Sequence, residues 1–200
     1  MKKLAISLFV GLVTAIIVCM GGFIKTSEKI SHDVLRLHVL ANSDSPEDQD
    51  LKLRVRDAVL CEGKNVFGGE MNVENAEELI SSEKERLIKT AQDVIAENGF
   101  DYDVDVFVAD EFFQTRSYGD FTLPAGRYTA VKVTIGEAAG HNWWCVMFPP
   151  LCIPAAQKET DVDMYLDKNE VKVVKSDPDY DVRFKVVEWY EKIKEHFRKG

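Results

Sequence analysis

Histidine and cysteine are scarce in this chain, which has four of each among 200 residues. The histidines stand at positions 32, 38, 141 and 196 and form no His-x-x-x-His pair, and no Cys-x-x-Cys pair occurs. These spacings give no indication of a metal site. A glycine-rich phosphate-binding loop is also missing. We therefore expect no metal and no nucleotide cofactor.

Positive charge is in short supply as well. The chain has 25 Lys and Arg against 34 Asp and Glu, a formal net charge of −9, and removing Lys2 and Lys3 takes it from −9 to −11. This acidity excludes non-specific nucleic-acid binding, and it gives the chain as a whole no electrostatic attraction to anionic lipid.

Residues 4–24 form an uncharged, largely apolar run directly after Lys2 and Lys3. At about 1.5 Å per residue a helix of this length reaches across about 30 Å of hydrocarbon. The preceding lysines favour an N-terminus left in the cytoplasm and export of everything after Lys25. Residues 1–24 are thus either a signal peptide that is cleaved or a membrane anchor that is retained, and both alternatives stay open.

The exported part, residues 30–200, is long enough for a single domain with one core. Its apolar periodicity changes along the chain in the order of an α+β fold. The pattern predicts a mainly antiparallel sheet, with two amphipathic helices after the first strand and a C-terminal helix. The predicted strands are residues 34–40, 102–108, 127–135 and the tryptophan segment, and the predicted helices begin near residues 46, 73 and 181.

Two details of this scheme concern neighbouring segments. Asp44 precedes the first of the two amphipathic helices and is expected to cap it. The tryptophan segment follows residues 127–135 after a short glycine-containing connection, so we expect these two strands to pair with each other.

The segment 140–152 is the most unusual part of the sequence, with two adjacent tryptophans, two prolines and two cysteines within thirteen residues. In a strand, Trp143 and Trp144 point to opposite faces. One can then fill the core while the other is presented to a partner, whereas the alternative buries both. Asn142, Trp143 and Trp144 are our candidate partner-binding residues.

Cys145 and Cys152 are close enough in sequence to form a disulfide, and export favours oxidation. Such a bridge stabilises a fold by about 2 to 3 kcal/mol on a chain-entropy estimate. Reduced, buried thiols are the alternative. If the two cysteines pair, Cys61 is left as a buried thiol.

The same segment suggests a second class of function, a cell-envelope cysteine hydrolase. Its nucleophile would be Cys145, with His141, His38 or His32 as the base. A Cys145–Cys152 bridge would remove that thiolate, and no recognised cysteine-hydrolase signature surrounds Cys145. We therefore predict no catalytic residue, and we interpret His38 as a strand histidine satisfied by hydrogen bonds.

Several separated motifs, in order, resemble the stage II sporulation protein R family. They are Leu37-His38-Val39-Leu40-Ala41-Asn42-Ser43-Asp44-Ser45, Val55-Arg56-Asp57, Leu123-Pro124-Ala125-Gly126, and Gly140-His141-Asn142-Trp143-Trp144-Cys145-Val146 with Phe148-Pro149-Pro150-Leu151-Cys152. The resemblance covers residues 30–152, and residues 155–200 show none of the motifs.

This resemblance implies a signalling protein that is exported from the forespore into the space between the two membranes. There it would activate a membrane-embedded aspartic protease of the mother cell, stage II sporulation protein GA, which processes the precursor of sigma-E. The chain would then act by protein–protein contact and not by chemistry of its own. An inert, membrane-anchored structural protein is a further alternative.

Overall fold

The computed structural model describes residues 2–67, 73–119, 121–149, 165–176 and 182–198. A short 3-10 helix, Val73–Asn75, precedes the third α-helix. The elements in chain order are α1 (Lys2–Asp33), β1 (Leu35–Leu40), α2 (Pro46–Phe67), α3 (Ala76–Glu97), β2 (Val104–Phe113), β3 (Arg116–Tyr118), β4 (Phe121–Leu123), β5 (Gly126–Ile135), β6 (Asn142–Phe148), α4 (Lys168–Val174) and α5 (Val182–Arg198).

The chain divides into two compact units. One consists of Met1–Ser31, Phe112–Gly126 and Leu166–Gly200, and is called the helical unit below. The other consists of His32–Glu111 and Arg127–Tyr165, and is called the sheet unit.

A four-stranded sheet in the order β2-β5-β1-β6 forms the centre of the sheet unit. β1 runs parallel to β5, with Arg36 opposite Ala130, and antiparallel to β6, with Leu37 opposite Cys145. The sheet is mixed and mostly antiparallel, which confirms the predicted α+β class.

The expected pairing between residues 127–135 and the tryptophan segment is wrong, because β6 pairs with β1. The connection after β5 explains this arrangement. The backbone N–H of Ala139 donates to the Asn42 carbonyl at 3.1 Å, and that of Gly140 donates to the Ala41 carbonyl at 3.0 Å. The chain is thereby fastened to the segment that follows β1 before β6 begins.

The core of the sheet unit lies where α2 and α3 cover one face of the sheet. Apolar side chains at helical spacing on the helices meet alternating side chains of the strands. The buried residues of this cluster include Leu51, Val55 and Val59 on α2, Ile80, Leu87, Ala91 and Ile95 on α3, Leu35, Leu37 and Val39 on β1, Val104 and Val106 on β2, Val131, Val133 and Ile135 on β5, and Cys145 and Met147 on β6.

Two expectations for this region are corrected. Cys61 is exposed on α2 and not buried. Asp44 does not cap α2, because the backbone N–H of Asp48 donates to the Ser45 hydroxyl at 3.1 Å and the Asp44 carboxylate is bound to His141. Ser45, directly before Pro46, therefore provides the cap, with proline at the first helical position.

In the helical unit, the C-terminal part of α1 holds both α4 and α5. Lys29 lies 3.0 Å from Asp167 and 3.0 Å from Glu170, the two residues that form a capping box on α4. Phe23 packs edge-on against Phe184 of α5 at a centroid distance of 5.3 Å. By length and hydropathy, none of the helices within the described residues qualifies as membrane-crossing.

The close approach of Gly140 to the segment after β1 generates a stability prediction. A Cβ atom at position 140 would lie 2.2 Å from the Ser43 carbonyl oxygen, a backbone atom that cannot rotate away. We expect Gly140→Ala to lower the free energy of unfolding by about 1 to 3 kcal/mol. Urea unfolding measures this change. The control is Gly22→Ala on α1, where a Cβ meets nothing within 4 Å, and equal stability of the two variants would contradict the contact.

Candidate partner-binding site

The beginning of β6 presents the candidate residues in alternating environments. Asn142 and Trp143 are exposed, Trp144 is half-buried and Cys145 is buried. Trp143 retains 37% of its accessible surface, so the alternative in which both tryptophans are buried is wrong. The two indoles instead belong to two different local structures, one on each face of the sheet.

Trp143 lies on the face that α2 covers. It pairs with Val39 of β1, and the Arg56 guanidinium of α2 lies 4.5 Å from the centre of its ring. A cation over an exposed indole stabilises its position by about 0.5 to 1 kcal/mol. Trp143 is therefore an exposed aromatic side chain with a defined orientation.

Trp144 lies on the opposite face, where it stacks on His38. The ring centroids are 3.7 Å apart and the ring planes are inclined by 22°. His38 Nδ1 donates to the Glu111 carboxylate at 2.6 Å, and His38 Nε2 lies 2.6 Å from the Asn142 side-chain oxygen. Both ring nitrogens are engaged, as expected of a satisfied strand histidine. His38 thus connects Glu111 on β2 with Asn142 and Trp144 on β6.

Glu111 is the charged partner in this cluster. Burial raises the pKa of the Glu111 carboxyl, but a hydrogen bond from Lys132 at 2.8 Å, the positive field of His38 and the His38 hydrogen bond outweigh that effect, so the pKa lies below its ordinary value. Glu111 is consequently a carboxylate at neutral pH and a strong hydrogen-bond acceptor for His38. His38, Glu111, Lys132, Asn142 and Trp144 are called the histidine cluster below.

A second set of polar contacts fixes the backbone directly before Asn142. The His141 side chain and its backbone N–H both donate to the Asp44 carboxylate, and these hydrogen bonds hold the Asp44 pKa below its ordinary value. Lys52 donates to the His141 carbonyl at 2.9 Å. The residues on both sides of Asn142 are therefore held in place, by the loop contacts on one side and by β1 on the other.

This geometry gives no support to a Cys145 nucleophile. Cys145 is 3% exposed and packs in the helix-covered core, whereas His38 lies on the other face of the sheet. His141 is bound to Asp44, and His32 is exposed at the end of α1. Among the described residues, no group of three or more His, Cys, Asp or Glu side chains could hold a metal ion.

The proposed cysteine pair is only partly within the described residues. Cys145 is buried in the core of the sheet unit, and Cys61 is a free thiol. Cys152 lies outside the described residues, so its pairing with Cys145 stays a prediction.

Three residues of the site were not predicted from the sequence. Glu111 and Lys132 are ordinary charged residues of strands, and only the sheet order brings them to His38. Arg56 is part of a resembling motif, but nothing in its spacing predicts the contact with Trp143.

Comparison with known proteins gives this α+β domain a family. Residues 31–158 match the family described as stage II sporulation protein R. The stage II sporulation protein R of Bacillus subtilis (strain 168) is 38% identical over 123 residues, which are 62% of this chain and 55% of that protein. The matched segment thus spans little more than half of that relative. No solved structure matches.

The chain therefore belongs to the stage II sporulation protein R family, and its role is in sporulation. The match contains the whole sheet from β1 to β6, with both tryptophans and the histidine cluster. It excludes α4 and α5.

The ionised state of Glu111 generates a prediction for acid stability. Because its pKa is lowered from 4.5 in the fold, its contribution is fully present above that pH and is lost as pH falls through the folded-state value. We expect Glu111→Gln to be less stable than the unchanged chain at pH 7, with a difference that shrinks as the solution is acidified. Urea unfolding at a series of pH values measures it.

Asp93→Asn is the matched control, since Asp93 forms an exposed ion pair with Lys89 on α3. Exposed pairs contribute little to stability. A stability difference for Glu111→Gln that stays constant over the acid range would contradict the proposed charge state of Glu111.

Proposed function

We propose that this protein is an intercompartmental signal of sporulation. It is exported from the forespore and activates the membrane-embedded aspartic protease of the mother cell, stage II sporulation protein GA, which processes the sigma-E precursor. Family membership supports the sporulation role. The exposed, oriented Trp143 beside Asn142 is the observation that carries contact as the mode of action.

The proposal assigns different tasks to the two tryptophans. Trp143 is the anchor that the receptor buries, because interface energy concentrates in aromatic side chains that lose water on binding. Trp144, stacked on His38, keeps the start of β6 in place. Asn142 contributes to both tasks, because its side chain is exposed beside Trp143 and is also held by His38.

Activation by contact requires that the ligand bind the active state of the protease more tightly than the inactive state. A dimeric state of the protease fits this requirement, since an exported ligand can stabilise an assembly without entering its catalytic centre. The chain's residues 1–24 deliver the domain to the space between the membranes, as a cleaved signal peptide or as an anchor.

Two features of α1 support membrane contact during export, namely its exposed apolar side chains and the two lysines that precede them. Leu4, Ile6, Phe9, Val10 and Val18 are all exposed. Lys2 and Lys3 precede them. This arrangement fits a segment whose apolar surface meets lipid and not protein.

Alanine substitutions of the two tryptophans are expected to impair different properties, protease activation in one case and stability in the other. Trp143→Ala should fold and be exported normally but lose protease activation, because truncating an interface anchor costs about 2 kcal/mol or more of binding. Trp144→Ala should lower thermal stability, because it uncovers His38. Co-expression with the protease and the sigma-E precursor measures cleavage, and thermal unfolding of the purified chain measures stability.

Phe107→Ala is the control for Trp143, since Phe107 is equally exposed, at 37%, on another strand. It should retain activation. Loss of stability to the same extent in both tryptophan variants would remove the interface assignment. Absence of precursor cleavage with the unchanged, exported chain would overturn the proposed function itself.

The cysteines separate the signal from the hydrolase alternative. We propose a Cys145–Cys152 bridge, which predicts that Cys145→Ser, Cys152→Ser and the double variant behave alike. Each should lose about 2 to 3 kcal/mol of stability and show weakened activation. Mass measurement of the exported chain before and after reduction and alkylation counts the paired thiols.

The hydrolase alternative predicts a different pattern. Cys145→Ser would abolish activity, whereas Cys152→Ser would stay active with a normal fold. Cys145 is buried away from the histidines, which favours equal behaviour of the three cysteine variants over the hydrolase pattern.

A further inference from the structure

The C-terminal helix α5 has two apolar faces, and only one of them is packed. Phe184, Val187 and, one turn further along, Glu191 are buried on the same side. The other face consists of Val182, Val186, Trp189, Ile193 and Phe197, spaced by four, three, four and four residues. That spacing places them in one stripe along a helix. We call these five residues the apolar stripe.

The apolar stripe is open to solvent. Val182 is 74% exposed, Trp189 65%, Ile193 60% and Phe197 79%, and Val186 is partly exposed. A continuous row of large apolar side chains at such exposure marks a contact surface.

Basic residues border this stripe. Arg183 follows Val182, but its guanidinium lies over the Phe23 ring of α1, 4.7 Å from the ring centre. Lys185 precedes Val186, and Lys192 and Lys194 stand on either side of Ile193. One-residue steps place them about 100° around the helix from their apolar neighbours, on both edges of the stripe. Charges in this position can extend along an apolar surface to reach polar groups above it.

Two of the three acidic residues of α5, Glu188 and Glu191, are withdrawn from the same surface, and Glu195 is partly exposed. In the pair Lys185–Glu188 the side chains are 66% and 13% exposed, and in Lys194–Glu191 they are 52% and 5% exposed. Burial is the main cause that raises the pKa of Glu191, which lies on the packed side. The accessible part of α5 is thus mainly apolar and basic, although the whole chain has a net charge of −9.

From this arrangement we propose that α5 lies on a lipid bilayer surface, with the apolar stripe in the interfacial region and its basic borders on anionic headgroups. An amphipathic helix with Trp and Phe on one face and Lys and Arg beside it binds membranes in this way. With 17 residues and eight charged side chains it is suited to lie on a bilayer and not to cross one.

The neighbour of α5 favours lipid over a protein groove. Within the helical unit, α5 is joined to α1 by the Phe23–Phe184 contact and by the ion pair of Lys194 with Glu28 at 2.9 Å. The N-terminal part of α1 has its own exposed apolar side chains. A lipid bilayer can accommodate the exposed apolar side chains of both helices. A protein groove for α5 would leave the exposed apolar side chains of α1 in water.

The test uses the full chain mixed with vesicles of phosphatidylcholine, with and without phosphatidylglycerol. Subtracting the emission of Trp189→Phe from that of the unchanged chain isolates the Trp189 fluorescence. With phosphatidylglycerol we expect a blue shift, protection from acrylamide, and loss of most of this emission when the lipids carry bromine near the glycerol end of the acyl chain. Trp143→Phe gives the matched control, and the emission of Trp143, in the sheet unit, should stay accessible to acrylamide.

Two other outcomes would contradict membrane binding by α5. Unchanged acrylamide quenching of Trp189 with vesicles present would overturn the proposal. Protection from acrylamide without quenching by brominated lipid would also overturn it, because the stripe would then be covered by protein, such as a second copy.

A charge variant tests the headgroup contribution. Lys192→Glu should reduce lipid quenching of Trp189 in the vesicles that contain phosphatidylglycerol, and it should have little effect in phosphatidylcholine alone. Equal quenching of the variant and the unchanged chain in anionic vesicles would overturn the role of the basic borders. The readout needs no protease, so this inference stands or falls independently of the proposed function.

Discussion

The backbone pairing of β1 on both of its edges is the constraint on which the sheet unit depends. Because β1 lies between β5 and β6, its backbone groups are paired on both edges. Its side chains project alternately from the two faces of the sheet, and each face must accommodate them. Leu35, Leu37 and Val39 fill the helix-covered core. Arg36 and His38, on the other face, are buried polar residues that need hydrogen-bond partners. Arg36 donates to the Cys145 carbonyl at 3.0 Å, and His38 is held by the histidine cluster.

The same constraint links stability to the proposed partner contact. The groups that satisfy His38 include Asn142, whose exposed side chain stands beside Trp143. A hydrogen-bonded network around a buried polar side chain favours one arrangement of its residues. Under the proposed function, a surface built on such a network would hold its geometry before the partner arrives, which would reduce the entropy lost on association.

Local periodicity was enough to predict most helices and strands of this fold, but it could not predict their neighbours. The alternation at Val104 and Val106 depends on adjacent residues, and so does the helical spacing of Leu51, Val55 and Val59. The pairing of β6 with β1 depends on contacts about a hundred residues apart in sequence. For the same reason the sequence identified Trp143 as a candidate partner-binding residue but could not predict that Arg56 packs on its ring. In α5, periodicity identifies an apolar stripe but does not tell whether anything covers it.

The adjacency of Trp143 and Trp144 has a consequence for how β6 finds its alignment. If β6 slipped by one residue, an indole would still stand on each face, so the tryptophans do not distinguish the right register from the wrong one. Cys145 would, however, exchange its place in the core for the opposite face. The hydrogen bonds of Ala139 and Gly140 to Asn42 and Ala41 fix the starting point of the strand independently of its side chains. A length change of one residue in that connection would therefore shift β6 against β1 and exchange the faces on which its side chains lie.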